Sequence, residues 1–193
     1  MAKSKSYRKG IVCLEAYWNN DIQNRLSVKP ILEIASTNNC TRSVHMTCNT
    51  LEELAFNLTV APNKNGYSIL YFAFHGFPGG IHLPGVKVDI ETIAAFMGKR
   101  YSNWVVHFGS CSTLKIPKRR ILTFMEKTHI LLATGFKRDV NWEEATVLDL
   151  LLLSSIQRYK NMRRFWSGFK KAYRPFVRLT GMEVFFNKEN GKR

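Results

Sequence analysis

Tyr67-Ser68-Ile69-Leu70-Tyr71-Phe72-Ala73-Phe74-His75-Gly76 is the stretch on which the fold turns. From Tyr67 to Phe74 it is an almost continuous apolar run. A strand with one wet face alternates apolar and polar residues, whereas a strand covered on both faces does not. The run therefore reads as a strand in the middle of a sheet that carries helices on both sides, and it stops abruptly at His75-Gly76.

The same pattern recurs outward in both directions. Gly10 to Tyr17 opens with Ile11, Val12, Cys13 and Leu14 and reads as a first strand. Trp104 to Phe108 is an apolar strand that stops at Gly109-Ser110-Cys111, and His129 to Thr134 is a further one. Thr41 to Thr47 and Met182 to Phe186 complete the candidates. Helices are expected between them: Pro30 to Ser36; a segment capped by Asn49 or Thr50, with Glu52 and Glu53 in its first turn, ending near Pro62; Asp89 through Gly98; Lys118 to Lys127; Trp142 to Tyr159; and Met162 to Tyr173. Phe77 to Val88, with Pro78, Gly79, Gly80, Pro84 and Gly85, suits a loop or a small hairpin. Strands that alternate with helices imply an α/β fold: a mainly parallel central sheet flanked by helices on both faces, with residues 1–193 as a single domain.

Composition agrees with a folded chain. At 193 residues with 45% hydrophobic content the protein is long enough for one sizeable core. The 29 Lys+Arg against 14 Asp+Glu give a formal net charge of +15. The excess gathers at Lys3, Lys5, Arg8 and Lys9 and in a basic helical part at about 158–180, where no acid occurs between Asp149 and Glu183. Acidic partners, nucleic acid among them, are attracted to such a surface whatever the fold. Cys13, Cys40, Cys48 and Cys111 contain no C-x-x-C and suit a reducing cytoplasm. The apolar run after the basic opening is broken by Glu15, Asn19, Asn20 and Asp21, so no signal peptide is expected. The apolar run Leu150 to Leu153 with its flanks, which contains Asp149 and ends at Gln157 and Arg158, falls far short of the roughly 20 residues of a membrane span.

Chemistry is expected where the strands end, because loops converge beyond the carboxyl ends of a parallel sheet. His75 and Cys111 hold that position on two strands. If the strands are neighbours, they lie about 4.8 Å apart, which brings imidazole and thiol toward one substrate. A thiol cleaves amides as thiolate, and an imidazole takes its proton and returns one to the leaving amine. Gly76 permits close backbone approach, and its N–H together with that of Cys111 forms a candidate oxyanion hole.

A strand ending in His-Gly, Tyr71-Phe72-Ala73-Phe74-His75-Gly76, followed by one ending in small-small-Cys, Val106-His107-Phe108-Gly109-Ser110-Cys111, resembles the caspase-hemoglobinase fold. Within it the sequence is most similar to the bacterial CHAT branch, akin to separase, gingipain and the metacaspases. The resemblance runs from about Gly10 to Tyr159 and includes the strand Leu131 to Phe136 with a Trp-bearing helix behind it. It implies a cysteine peptidase with His75 and Cys111 as dyad, Gly76 and Cys111 amides as oxyanion hole, and the stretch Gly135 to Trp142 lining the primary specificity pocket. The cysteine motif departs from Q-A-C-[RQG]-G, and His75 lies closer to the cysteine than the roughly 50 residues of caspases, so aspartate specificity is not implied. Asp139 facing inward favours a basic substrate residue; Arg138 facing inward favours an acidic one. Trp142 completes the expected substrate-binding set.

Competing assignments are weaker. His107 is expected to be buried in mid-strand, and His82 ranks behind His75 as a site histidine. Cys40, His45 and Cys48 have no evident fourth ligand, so neither metal nor cofactor is expected. The aromatics Tyr159, Phe165, Trp166, Phe169 and Tyr173 of the basic helix stack on nucleic acid or, more commonly, fill the core. The expectation is an endopeptidase acting on protein or peptide, under a regulatory protein partner. Its rival is a caspase-like module without catalysis that holds nucleic acid or an acidic protein through its basic surface.

Overall fold

Residues 69–74 are buried without a break, and so are 10–16. That pattern requires a sheet packed on both sides. The computed structural model describes residues 7–187 apart from 20, 22, 24 and 64; Lys3, Lys5 and Asn20 lie outside the described residues. In chain order the elements are β1 (Gly10–Glu15), α1 (Lys29–Asn39), β2 (Ser43–Thr47), α2 (Leu51–Val60), β3 (Tyr67–Ala73), β4 (His75–Phe77), β5 (Gly80–Leu83), β6 (Val86–Asp89), α3 (Ile90–Met97), β7 (Val105–Phe108), α4 (Lys118–Thr128), β8 (Leu132–Phe136), α5 (Trp142–Ser155), α6 (Met162–Ala172), α7 (Arg174–Thr180) and β9 (Met182–Phe186).

Six strands form one sheet in the order β2-β1-β3-β7-β8-β9, parallel throughout except for the β8–β9 pair. Alternate residues of each strand feed opposite cores. Val12, Leu70, Phe72, Val106 and Phe108 pack toward Leu54 and Leu58 of α2, Ile93 of α3 and Phe124 of α4. Ile11, Cys13, Ile69, Tyr71 and Val105 pack toward Leu32 of α1, Leu148 and Leu152 of α5, and Phe165 and Phe169 of α6. Burial of each such side chain stabilises the fold by about 1.5–3 kcal/mol, which fixes the register of both faces at once. The α/β expectation, with helices on both faces, is the observed architecture.

Local signals account for several boundaries. Thr50 caps α2 in a reciprocal box with Glu53, and Asp89 accepts from the Thr92 N–H at 2.7 Å to start α3. Other boundaries moved. The loop or hairpin expected at 77–88 is a three-stranded antiparallel sheet, β4-β5-β6, whose first strand begins at His75. The strand expected to begin at His129 starts at Leu132, because His129 takes a left-handed conformation (φ 55°) that closes α4. The helix expected to reach Tyr159 ends at Ser155 and passes into a 3₁₀ turn. In the basic C-terminal part, Phe165 and Phe169 are core residues, while Arg163, Arg164, Lys170 and Lys171 are exposed. Among the described residues no helix is long and apolar enough to cross a membrane.

Candidate active site

Strands β3 and β7 are neighbours, with Phe72 opposite Phe108, so the residues that follow them leave the sheet side by side. The pairing continues past the strands: Gly109 N–H donates to the Phe72 carbonyl at 2.9 Å and Ser110 Oγ to the same oxygen at 3.4 Å. His75 and Cys111 therefore project from one rim. A Cβ built on Gly76 would stand 2.9 Å from the Cys111 nitrogen and still closer to the Cys111 carbonyl oxygen. The two backbones touch there, and only glycine fits.

The cysteine sits on a turn held from both sides. Ser112 N–H donates to the Arg138 carbonyl at 2.9 Å, and Leu114 N–H to the Phe136 carbonyl at 3.0 Å, which ties the turn to the continuation of β8. Thr113 Oγ1 donates to the Gly80 carbonyl at 3.0 Å, which ties it to the small sheet. Ser112 holds a positive φ of 56°, so the thiol is aimed by a constrained turn. Its sulfur is half-buried and lies 3.5 Å from both the nitrogen and the oxygen of Val140. Among the described residues the Cys111 N–H has no backbone acceptor.

His75 is oriented by a segment that sequence reasoning did not single out. The Nε2 of His75 lies 2.8 Å from the carbonyl oxygen of Trp18, and the two rings meet edge-on at 5.1 Å. A carbonyl only accepts, so Nε2 carries the hydrogen in this bond. Nδ1 is then the nitrogen free to exchange a proton. Trp18 is in turn fixed by Glu15 at the end of β1. One carboxyl oxygen of Glu15 accepts from Trp18 Nε1 at 2.7 Å and from the Val28 N–H at 2.8 Å. The other accepts from Ser27 Oγ at 2.6 Å and meets His45 Nε2 at 2.5 Å. Burial pushes the Glu15 carboxyl up, yet these hydrogen bonds, that of His45 first, outweigh it and hold its pKa below the usual glutamate value.

Between these elements lies a cleft of about 280 Å³. Trp18, Leu26, Val28, Val140, Trp142 and Ala145 wall it, with His75 and Cys111 at one side and Tyr71, Gly109 and Asp149 in its buried part. Trp18 and Trp142 meet edge-on at 4.6 Å. Asp149 is 1% exposed; it accepts from Tyr71 Oη at 2.5 Å and lies 2.7 Å from His107 Nε2. Burial first, then the Asp149 charge, pushes the Tyr71 hydroxyl well above its ordinary value.

The structure thus brings together His75, Gly76, Cys111 and Trp142. Arg138 and Asp139 it does not bring in. Arg138 reaches away to the Arg178 carbonyl at 3.2 Å, and Asp139 is exposed and accepts from Ser112 Oγ at 2.7 Å. The residue facing inward is neither of the two weighed from sequence. His82 pairs with His75 across β4–β5, outside the cleft lining, and His107 is fully buried. His45 is engaged by Glu15, Cys40 is exposed and Cys48 buried; among the described residues no group of three metal-ligating side chains comes together. Asp149 was missed, although Trp142, Thr146 and Asp149 share one helical face by their spacing.

No curated protein matches the sequence. Residues 8–185 match the Family of unknown function (DUF6642), and the chain belongs to that family.

Proposed function

We propose that the protein is a cysteine endopeptidase of caspase-like type, with Cys111 as nucleophile and His75 as acid and base. The observation that carries this reading is the convergence of His75 and Cys111 on one cleft, with the Gly76 backbone packed against that of Cys111 and the His75 Nε2 hydrogen tied to the Trp18 carbonyl, which leaves Nδ1 as the proton acceptor. Cys111 Sγ gives its proton to His75 Nδ1 and attacks the scissile carbonyl carbon. The oxygen that gains charge is met by the Cys111 N–H, with Gly76 as the second candidate donor. Collapse breaks the C–N bond, and His75 returns the proton to the leaving amine. Water, deprotonated by His75, then hydrolyses the thioester and frees the thiol.

No direct Cys111–His75 hydrogen bond is formed, and such bonds commonly tighten only with substrate in place. Four free cysteines support a reducing, cytoplasmic setting, and a separate regulatory protein fits a domain of this kind. The test is hydrolysis of a diverse peptide panel. Wild type cleaves a subset, while Cys111→Ala and His75→Ala lose at least about a hundredfold in kcat/KM, the scale of acid–base and nucleophile loss. Equal cleavage by all three overturns the reading and leaves the basic-surface binding module.

A further inference from the structure

We infer that the buried part of the cleft is a subsite for an arginine or lysine side chain, with Asp149 as the group that recognises its charge. This rests on the peptidase reading only in identifying that side chain as the one preceding the scissile bond. The cleft is graded. Asn19, Leu26 and His75 at its mouth are exposed, Trp18, Cys111, Val140 and Trp142 are half-buried, and Val28, Tyr71, Gly109 and Asp149 are buried. Its volume of about 280 Å³ lies just under the roughly 300–1,000 Å³ of small-molecule sites and suits one long side chain.

Asp149 is the buried acid of the cleft lining, 1% exposed. Its two hydrogen-bond partners are Tyr71 Oη and His107 Nε2. Nδ1 of His107 is buried and has no partner among the described residues, so a second proton there would be an unpaired buried donor. In a protein of net charge +15, no lysine or arginine among the described residues lines this cleft. A buried carboxylate that lines a cleft with no described lysine or arginine of its own is an environment in which an arriving cation gains. Each carboxylate oxygen has a second lone pair to offer.

The rest of the lining suits a flat cation on an apolar stem. Trp18, Leu26, Val28 and Ala145 flank the methylene path, and the two indoles offer faces or edges to a guanidinium. Gly109 makes room: a Cβ there would stand 2.8 Å from Asp149 Oδ2 and closer still to the Tyr71 ring. An acidic side chain in the same place would meet Asp149 with no cation between them, which disfavours it.

The test uses Nα-acetyl-arginine amide and its neutral isostere, Nα-acetyl-citrulline amide, titrated calorimetrically into the full-length Cys111→Ala protein. The arginine ligand binds at least about tenfold more tightly, as a charge-assisted contact requires. Asp149→Asn in the same background brings the two ligands to equal affinity. Equal affinity for Cys111→Ala itself, tighter binding of Nα-acetyl-aspartate amide, or no binding of the arginine ligand at millimolar concentration overturns the inference. If Asp149→Asn does not fold, the arginine–citrulline comparison decides alone. The two proposals separate cleanly. Arginine preference without turnover of any peptide overturns the peptidase and keeps the subsite, and turnover with preference for apolar or acidic residues does the reverse.

Discussion

Glu15 shows how one side chain can set the geometry of another two contacts away. It ends β1, is 5% exposed, and holds Trp18, Ser27 and Val28 through three hydrogen bonds, with His45 of β2 as its fourth partner, so that the Trp18 carbonyl stands where His75 can donate to it. Because its pKa is held below about 4.5, the carboxylate contributes stability above that pH and loses it as pH falls through the folded value. Glu15→Gln keeps the shape and removes the charge. Urea denaturation at neutral pH finds the wild type more stable than Glu15→Gln, and the gap narrows on acidification below about pH 4. A gap that stays constant or widens contradicts this account. His75 and Cys111 were legible in the sequence because each ends an apolar run with small residues beside it. Trp18, Tyr71 and Asp149 were not, because nothing in a lone Trp, a mid-strand Tyr or an Asp within Leu148-Asp149-Leu150 signals a shared cleft until the strands are placed.

At the scale of elements, the long-range ties matter more than propensity. The 3₁₀ turn after α5 is joined to the residue preceding β1 by Gln157, which is fully buried. Lys9 N–H donates to Gln157 Oε1 at 2.6 Å, and Gln157 Nε2 donates to the Lys9 carbonyl at 3.0 Å. Lys9 Nζ also reaches the Ile156 and Tyr159 carbonyls, at 3.1 and 2.7 Å, and burial pulls its pKa down to about 8. Gln157→Ala unpairs both groups of Lys9 and costs about 1–3 kcal/mol. Denaturant midpoints measure the loss; a change under about 0.5 kcal/mol would show that water replaces these bonds freely. The apolar strands and the capped helices α2 and α3 were legible because their signals are local. The small sheet β4-β5-β6 and helix α7 were not. Glycines and prolines from Pro78 to Gly85 are as consistent with a loop as with tight hairpins, and α7 follows α6 directly after a break at Tyr173, where Pro175 in its first turn is as consistent with the end of one helix as with the start of the next.

For the whole molecule, topology does what no single motif does. The order β2-β1-β3-β7-β8-β9 reverses direction between β1 and β3, and the cleft opens beyond the carboxyl ends of β1, β3, β7 and β8, where an open parallel sheet gathers ligands. The parallel sheet was legible from runs apolar on both faces. The identity of the inward-facing acid was not, since only the placed strands and helices show Asp139 exposed after β8 and Asp149 on the buried face of α5. The four cysteines provide an internal comparison for the central claim. Burial raises the Cys13 thiol well above its ordinary value and the Cys48 thiol to about 12, while Cys40 is exposed at the C-terminal end of α1 and Cys111 lines the cleft with His75. The most direct measurement is reaction of the native protein with an electrophilic peptide, followed by mass-spectrometric mapping of the adduct. The account predicts one adduct per chain, on Cys111, lost in His75→Ala; labelling of Cys40 as fast as Cys111, or labelling of Cys111 that ignores His75→Ala, would contradict it.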